Sequence, residues 1–123
     1  MSEPTGIAHS PTLSVSIVVY FPDAAWLKTT LETLVAALAH ARHADTMRRA
    51  NIFLVDNQAD TKLSVFSALL AGACSEFSWI EAACIAGHGN IGYGRANNLA
   101  IARSSESDFH LVLNPDVKLA EDA

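Results

Sequence analysis

LSVSIVVY, Leu13 to Tyr20, is an uncharged, β-branched run stopped by Phe21-Pro22-Asp23. A short continuous apolar run bounded by a breaker reads as a strand buried on both faces. The next thirty-odd residues decide the kind of sheet. Asp23 is placed to N-cap a helix over Ala24 to Arg42, where Leu27, Leu31, Leu34 and Leu38 make one apolar stripe at spacings of four, three and four. A second apolar run, NIFLVDN, covers Asn51 to Asn57. Strand, long helix, strand is the pattern of a parallel pair joined by a crossover.

The alternation continues. Asp60 is placed to cap a second helix whose inward face carries Leu63, Phe66 and Leu70, with Gly72 near its end. A third strand lies within SWIEAACIA, Ser78 to Ala86, followed by the glycine loop GHGNIGYG, Gly87 to Gly94. A short helix from Arg95 to Arg103 precedes FHLVLN, Phe109 to Asn114, which Pro115 ends because it cannot donate to a ladder. This β-α-β-α-β-α-β order predicts an α/β fold, a Rossmann-like three-layer α/β/α arrangement around a mostly parallel sheet. Residues 1–12, rich in Ser, Pro and Thr and carrying Glu3, read as a flexible N-terminal tail, and residues 13–123 as one domain.

Composition removes several classes of function. Half of the 123 residues are hydrophobic and 17% charged, which is not the signature of disorder. The net charge is −5 and the eight basic residues form no long run, so no nucleic-acid partner is expected. The longest apolar stretches, about seven residues, fall far short of the ~20 that span a bilayer. Nothing resembles a basic, then apolar, leader. Cys74 and Cys84 lack C-x-x-C spacing and read as buried thiols, so the expected location is cytoplasmic.

In an open α/β sheet, ligands collect at the carboxyl ends of the strands, where strand order reverses. The sequence puts Tyr20, Asp56-Asn57, the glycine loop and Asn114-Pro115-Asp116 there. That acidic, polar, glycine-rich set has no Ser/His/Asp arrangement and suits a ligand with hydroxyls, a ring and phosphate. Each part also has a plainer reading. Asp56-Asn57 can close an Asx turn, and Asn114-Pro115-Asp116 fits a type I turn.

The loop contains Gly87-x-Gly89-x-x-Gly92, with Glu106 and Asp108 further on, which makes a nicotinamide-binding module a rival. The motif comes after the third strand rather than the first, however, and Tyr20-Phe21-Pro22 leaves no room for a pyrophosphate turn. A Walker A lysine is absent. His40 and His43 read as surface residues at a helix C-terminus, His88 as a residue whose ring could contact a ligand, and His110 as a satisfied core residue.

The succession SIVVY, FLVDN, GNIGYGRANNLAIA, LVLNPDV resembles the N-terminal half of family 2 glycosyltransferases, especially the rhamnosyltransferase-like branch, from Leu13 to about Ala120. Its most specific parts are Asn90-Ile91-Gly92-Tyr93 with Asn97-Asn98, and Leu113-Asn114-Pro115-Asp116. The resemblance implies a GT-A fold with strand order 3-2-1-4, truncated to the half that binds a nucleoside-diphosphate sugar, dTDP- or UDP-linked, and Mg²⁺ or Mn²⁺. It assigns base and ribose to Tyr20 and Asp56, and the cover over nucleotide and sugar to Asn90, Gly92 and Asn98. The Asp-x-Asp motif corresponds to Asn114-Pro115-Asp116, where the first acid has become an amide and Asp116 is left as the main metal carboxylate.

Transfer would be inverting, to a glycan or lipid-linked acceptor, with the general base expected beyond Ala123 and no catalytic residue nameable within the chain. A missing acceptor half would leave apolar surface around the last strand and the glycine loop and favour a homodimer. The alternatives are an NAD(P)-binding module and a non-catalytic α/β interaction domain.

Overall fold

The computed structural model describes residues 10–58, 63–120 and 122–123. Seven elements alternate in chain order: β1 (Thr12–Val19), α1 (Ala24–His43), β2 (Arg49–Asp56), α2 (Leu63–Cys74), β3 (Ile80–Ile85), α3 (Tyr93–Ala102) and β4 (Phe109–Leu113). The four strands form one sheet in the order β3-β2-β1-β4, and every pairing is parallel. The fold is therefore α/β with an all-parallel sheet, consistent with a Rossmann-like arrangement.

The sheet separates two cores by residue parity, as a period of two requires. Val15, Ile17 and Val19 of β1 and Ala50, Ile52 and Leu54 of β2 pack with Leu27, Leu31, Leu34 and Leu38 of α1 and Phe66 and Leu70 of α2. On the other face, Val18, Phe53, Val55 and Ile85 meet buried Ala96 and Ala100 of α3, with partly buried Leu99 and Ile91 packed against them. Each fully buried Leu or Ile contributes about 1.5–3 kcal/mol, so the α1/α2 face holds most of the apolar stabilisation.

The expected helix starts where its cap dictates: Asp23 Oδ1 accepts the N–H groups of Ala25 at 2.9 Å and Trp26 at 3.1 Å. It ends in a turn in which Asp45 takes φ 60°, with His40, Arg42 and His43 in the last turn, where the helix dipole favours them. Asp60 and the side chain of Leu63 lie outside the described residues.

Several boundaries differ from expectation; β2, for one, begins two residues early, at Arg49. The proposed tail does not run to residue 12, because Thr12 already pairs with Arg49 and the Pro11 carbonyl accepts Arg48 N–H at 3.0 Å; residues 1–9 lie outside the described residues. Tyr20 falls beyond β1 and is exposed. α3 begins two residues earlier than expected, at Tyr93, because Gly92 provides the turn into it. β4, an edge strand, leaves Phe109 63% and Val112 42% exposed, so the expected apolar surface beside the last strand is there. Burial pushes the Cys74 thiol pKa up, and Cys84 is half-buried; both are free. No helix among the described residues is long and apolar enough to cross a membrane.

Candidate functional site

Strand order reverses between β1 and β4, and a ligand crevice is expected at their carboxyl ends. A cavity of about 580 Å³ lies there, lined by Pro22, Asp23 and Trp26 on one wall and Asn114, Pro115 and Asp116 on the other. Two α1 threonines fix the second wall. Thr30 Oγ1 donates to the Pro115 carbonyl at 2.9 Å, and Thr33 Oγ1 accepts Leu119 N–H at 3.1 Å. Asp116 is thereby held at the mouth with its side chain in solvent.

Tyr20 and Phe21 lead into the first wall as an edge-to-face pair with ring centroids 4.7 Å apart. Phe21 sits at φ 47°, a conformation costly for an aromatic residue, and its N–H is held by Gln58 Oε1 at 2.8 Å. With half-exposed Trp26, three aromatic rings stand at this end of the sheet.

A second cluster holds the glycine loop. Buried Asn57 donates from Nδ2 to Asn90 Oδ1 at 3.2 Å and to the Gly92 carbonyl at 3.4 Å. Both partners are acceptors, which orients the amide, so its Oδ1 receives His88 Nε2–H at 3.1 Å. His88 is therefore the Nε2–H tautomer, and its Nδ1 is buried without a hydrogen-bond partner among the described residues. The clusters are linked by the Tyr93 hydroxyl, which donates to Asn114 Oδ1 at 3.1 Å.

Of the residues singled out in the sequence, Asn114 and Asp116 share the crevice, and Asn90 and Gly92 share the Asn57 cluster. Asn98 is exposed and lines neither. Asp56 is 1% exposed, and its Oδ1 accepts Gln58 N–H at 2.9 Å, the Asx-turn arrangement. A ligand reaching that carboxylate requires its cover to move. Asn57 as the organiser of the loop, Thr30 and Trp26 went unnoticed. For Trp26 a signal existed, since it lies off the Leu27–Leu38 stripe at the start of a helix.

The glycines act through conformation. A Cβ built at any described glycine meets nothing within 4 Å, while Gly87, Gly89 and Gly92 have φ of 89°, 69° and 89°. The acids of the dinucleotide fingerprint do not share this end of the sheet. Asp108 Oδ2 accepts the N–H of Thr12 at 2.8 Å, beside the beginnings of β1 and β4, one strand length of about 16 Å from the crevice.

No group of three or more His, Cys, Asp or Glu able to hold a metal occurs among the described residues. Asp23 also lines the crevice, but its Oδ1 is committed to capping α1. The donor set fits a cation that arrives with phosphate oxygens and water, and does not fit a resident ion. No family model, curated protein or solved structure matches the chain.

Proposed function

We propose that this chain is the donor-binding half of an inverting glycosyltransferase of GT-A type, which takes a dTDP- or UDP-sugar together with Mg²⁺ or Mn²⁺. The observation that carries the reading is the meeting of the Pro22–Trp26 and Asn114–Asp116 segments across the β1/β4 reversal. Aromatic faces at Tyr20 and Trp26 suit a base or sugar ring. Asn114, steadied by Tyr93, offers amide hydrogen bonds to ribose hydroxyls. Asp116 is the one crevice carboxylate without a capping role, and it would supply one oxygen to a cation otherwise held by the diphosphate and water. The cation, when bound, neutralises charge on the departing diphosphate.

The loop held by Asn57 borders this space through the Tyr93–Asn114 contact, consistent with a cover of Asn90 and Gly92 over the donor. The acceptor, glycan or lipid-linked, and the base that deprotonates it belong to the other half of such an enzyme, at a cytoplasmic location. Calorimetric titration with UDP, dTDP and NAD, with and without Mn²⁺, tests the reading. UDP or dTDP should bind, more tightly with Mn²⁺, and NAD should not. Binding of NAD alone would establish the nicotinamide module instead, and binding of none of the three would leave an interaction domain.

A further inference from the structure

The sheet has two edge strands, β3 and β4, and their chemistry is unlike. β3 presents the exposed carboxylate of Glu81, 3.8 Å from Arg49, and a charge on an edge discourages pairing with another chain. β4, Phe109–Leu113, contains no Asp, Glu, Lys, Arg or Pro, and its ladder with β1 runs without a bulge. Its one titratable residue, His110, has its ring between Ser14 Oγ and Ser16 Oγ, each 2.8 Å from a ring nitrogen. Burial holds the His110 pKa below the ordinary histidine value, so the β4 edge is uncharged at neutral pH.

The backbone of β4 still has hydrogen bonds to make. The Phe109 carbonyl lies 3.4 Å from Ser14 Oγ and so faces β1. Successive residues of a strand turn their N–H and C=O groups to opposite edges, so His110 and Val112 turn theirs outward. The segment after β4 does not take them up. Its Pro115 carbonyl and Leu119 N–H are bound to Thr30 and Thr33 of α1, and among the described residues no backbone bond joins 114–120 to β4. Apolar side chains are left over on both faces. Exposed Phe109 and half-buried Leu111 wall an apolar cavity of about 460 Å³ that reaches Leu34, Leu38 and Met47 on the α1 face. Val112, on the α3 face, is exposed and packs into neither core.

A strand that fits this edge must be uncharged and must carry apolar side chains on both faces, and β4 read in the opposite direction is such a strand. We propose that β4 pairs antiparallel with β4 of a second copy about a two-fold axis at Leu111, joining two four-stranded sheets into one. His110 then stands opposite the partner's Val112, and Val112 opposite the partner's His110. Each of these pairs exchanges both N–H···O bonds, so every outward group of the two residues is satisfied. On the α1 face, Phe109 meets the partner's Leu113, and Leu111 meets the partner's Leu111 at the closer spacing of a non-hydrogen-bonded pair. The neighbouring registers are poorer. Centred on His110, the pairing needs the Asp108 N–H, which is committed to Thr12. Centred on Val112, it sets Phe109 opposite the partner's Pro115, whose carbonyl Thr30 holds against α1. Because the same patch is used by both copies, the contact closes at two. The pairing stands whatever the crevice binds.

Sedimentation and amide exchange of the ¹⁵N-labelled parent chain, over a series from dilute to concentrated solution at neutral pH, test this. Sedimentation should show monomer passing to dimer. The amides of His110 and Val112 should exchange at least about tenfold more slowly in the dimer, while those of Ala82 and Cys84 keep one rate. These two are the outward residues of β3, a parity fixed by the bond from Ala50 N–H to the Trp79 carbonyl. Val112→Lys places a charge on the edge of each copy at an exposed position, and should raise the midpoint concentration of dimer formation at least about tenfold. Under mild oxidation Leu111→Cys should give a linked dimer, with the parent and its free Cys74 and Cys84 as background. Phe109→Cys, about 14 Å from its counterpart across the axis, should not. A monomer at every concentration, growth beyond two copies, or equal protection of both edges would overturn the pairing. So would an unchanged midpoint in folded Val112→Lys, or Phe109→Cys linking as readily as Leu111→Cys. The sedimentation and exchange readings are made on the parent chain, so they decide the matter even where a variant fails to fold.

Discussion

The Asp108 carboxylate clasps Thr12: Oδ2 accepts the Thr12 backbone N–H at 2.8 Å and its hydroxyl at 3.2 Å. The N-terminal ends of β4 and β1 are joined by this contact, and Asp108 N–H donates back to Thr12 Oγ1 at 3.1 Å.

Those two donors, the backbone N–H first, hold the Asp108 pKa below the usual aspartate value of 3.8, with a smaller contribution from Arg48. A carboxylate whose folded-state pKa is lowered stabilises the fold above the unfolded value and loses that contribution as pH falls through the folded one. Urea midpoints should therefore separate parent and Asp108→Ala at pH 7, and the gap should shrink as pH drops below about 3.8. A gap of constant size would show that the charge is irrelevant to the clasp.

Asn57→Ala removes the side chain that holds His88, Asn90 and the Gly92 carbonyl. It leaves the His88 Nε2–H without its acceptor, so the expected cost is about 1–3 kcal/mol. Amide exchange at Ile91 and Gly92 should rise more than exchange in β2. A midpoint within about 0.5 kcal/mol of the parent would mean that the loop holds itself.

Gly92 and Gly72 make a contrasting pair. Gly92 adopts φ 89° and ψ 159°, a region essentially reserved for glycine, so Gly92→Ala should cost about 1–3 kcal/mol. Gly72 lies within α2 with ordinary φ and open space around it, so Gly72→Ala should stabilise by roughly 0.5–1 kcal/mol. Thermal melts of both variants check the pair; equal effects would rule out backbone conformation as the cause.

Asp116→Ala should remove the Mn²⁺-dependent part of UDP or dTDP affinity while leaving the melting temperature unchanged, since the side chain is exposed. Unchanged Mn²⁺ dependence would take Asp116 out of the site. Asp56→Ala should weaken nucleoside binding with and without metal, and also lower stability, because Gln58 loses its acceptor. Full nucleoside affinity would leave Asp56 as a turn residue alone.

The elements were legible because each is encoded locally. The Leu27–Leu38 stripe, the Asp23 cap and the β-branched strands need no distant partner, whereas the strand order that the sheet shows came only with the family resemblance. The site was legible only in part. That Asn114 and Asp116 share a crevice comes from strand order, but the Asn57 cluster is made by hydrogen bonds across 31 to 35 residues, which no local pattern announces. Both ring nitrogens of His110 are satisfied, but the residue is only partly buried at the edge strand and is not the core residue that its alternation suggested. Its partners were hidden because Ser14 and Ser16 read as part of a uniformly apolar strand, although two serines two residues apart in a buried strand mark a polar stripe on one face.

The all-parallel sheet also bears on how fast the chain can fold. No strand of the sheet has a hairpin partner: Thr12 pairs with Arg49, Ala50 with Ile80, and Leu13 with Phe109, 96 residues away. Each pairing therefore carries the entropy of closing a long loop before it gains a ladder, and such topologies fold slowly among domains of this size. Of the four strands, β1 is made first, and its second edge is covered only when β4 has been made. Its fully buried residues, Ser14 to Ile17 and Val19, wait until β4 is made, so misassembly at this edge during synthesis is the characteristic hazard of the fold.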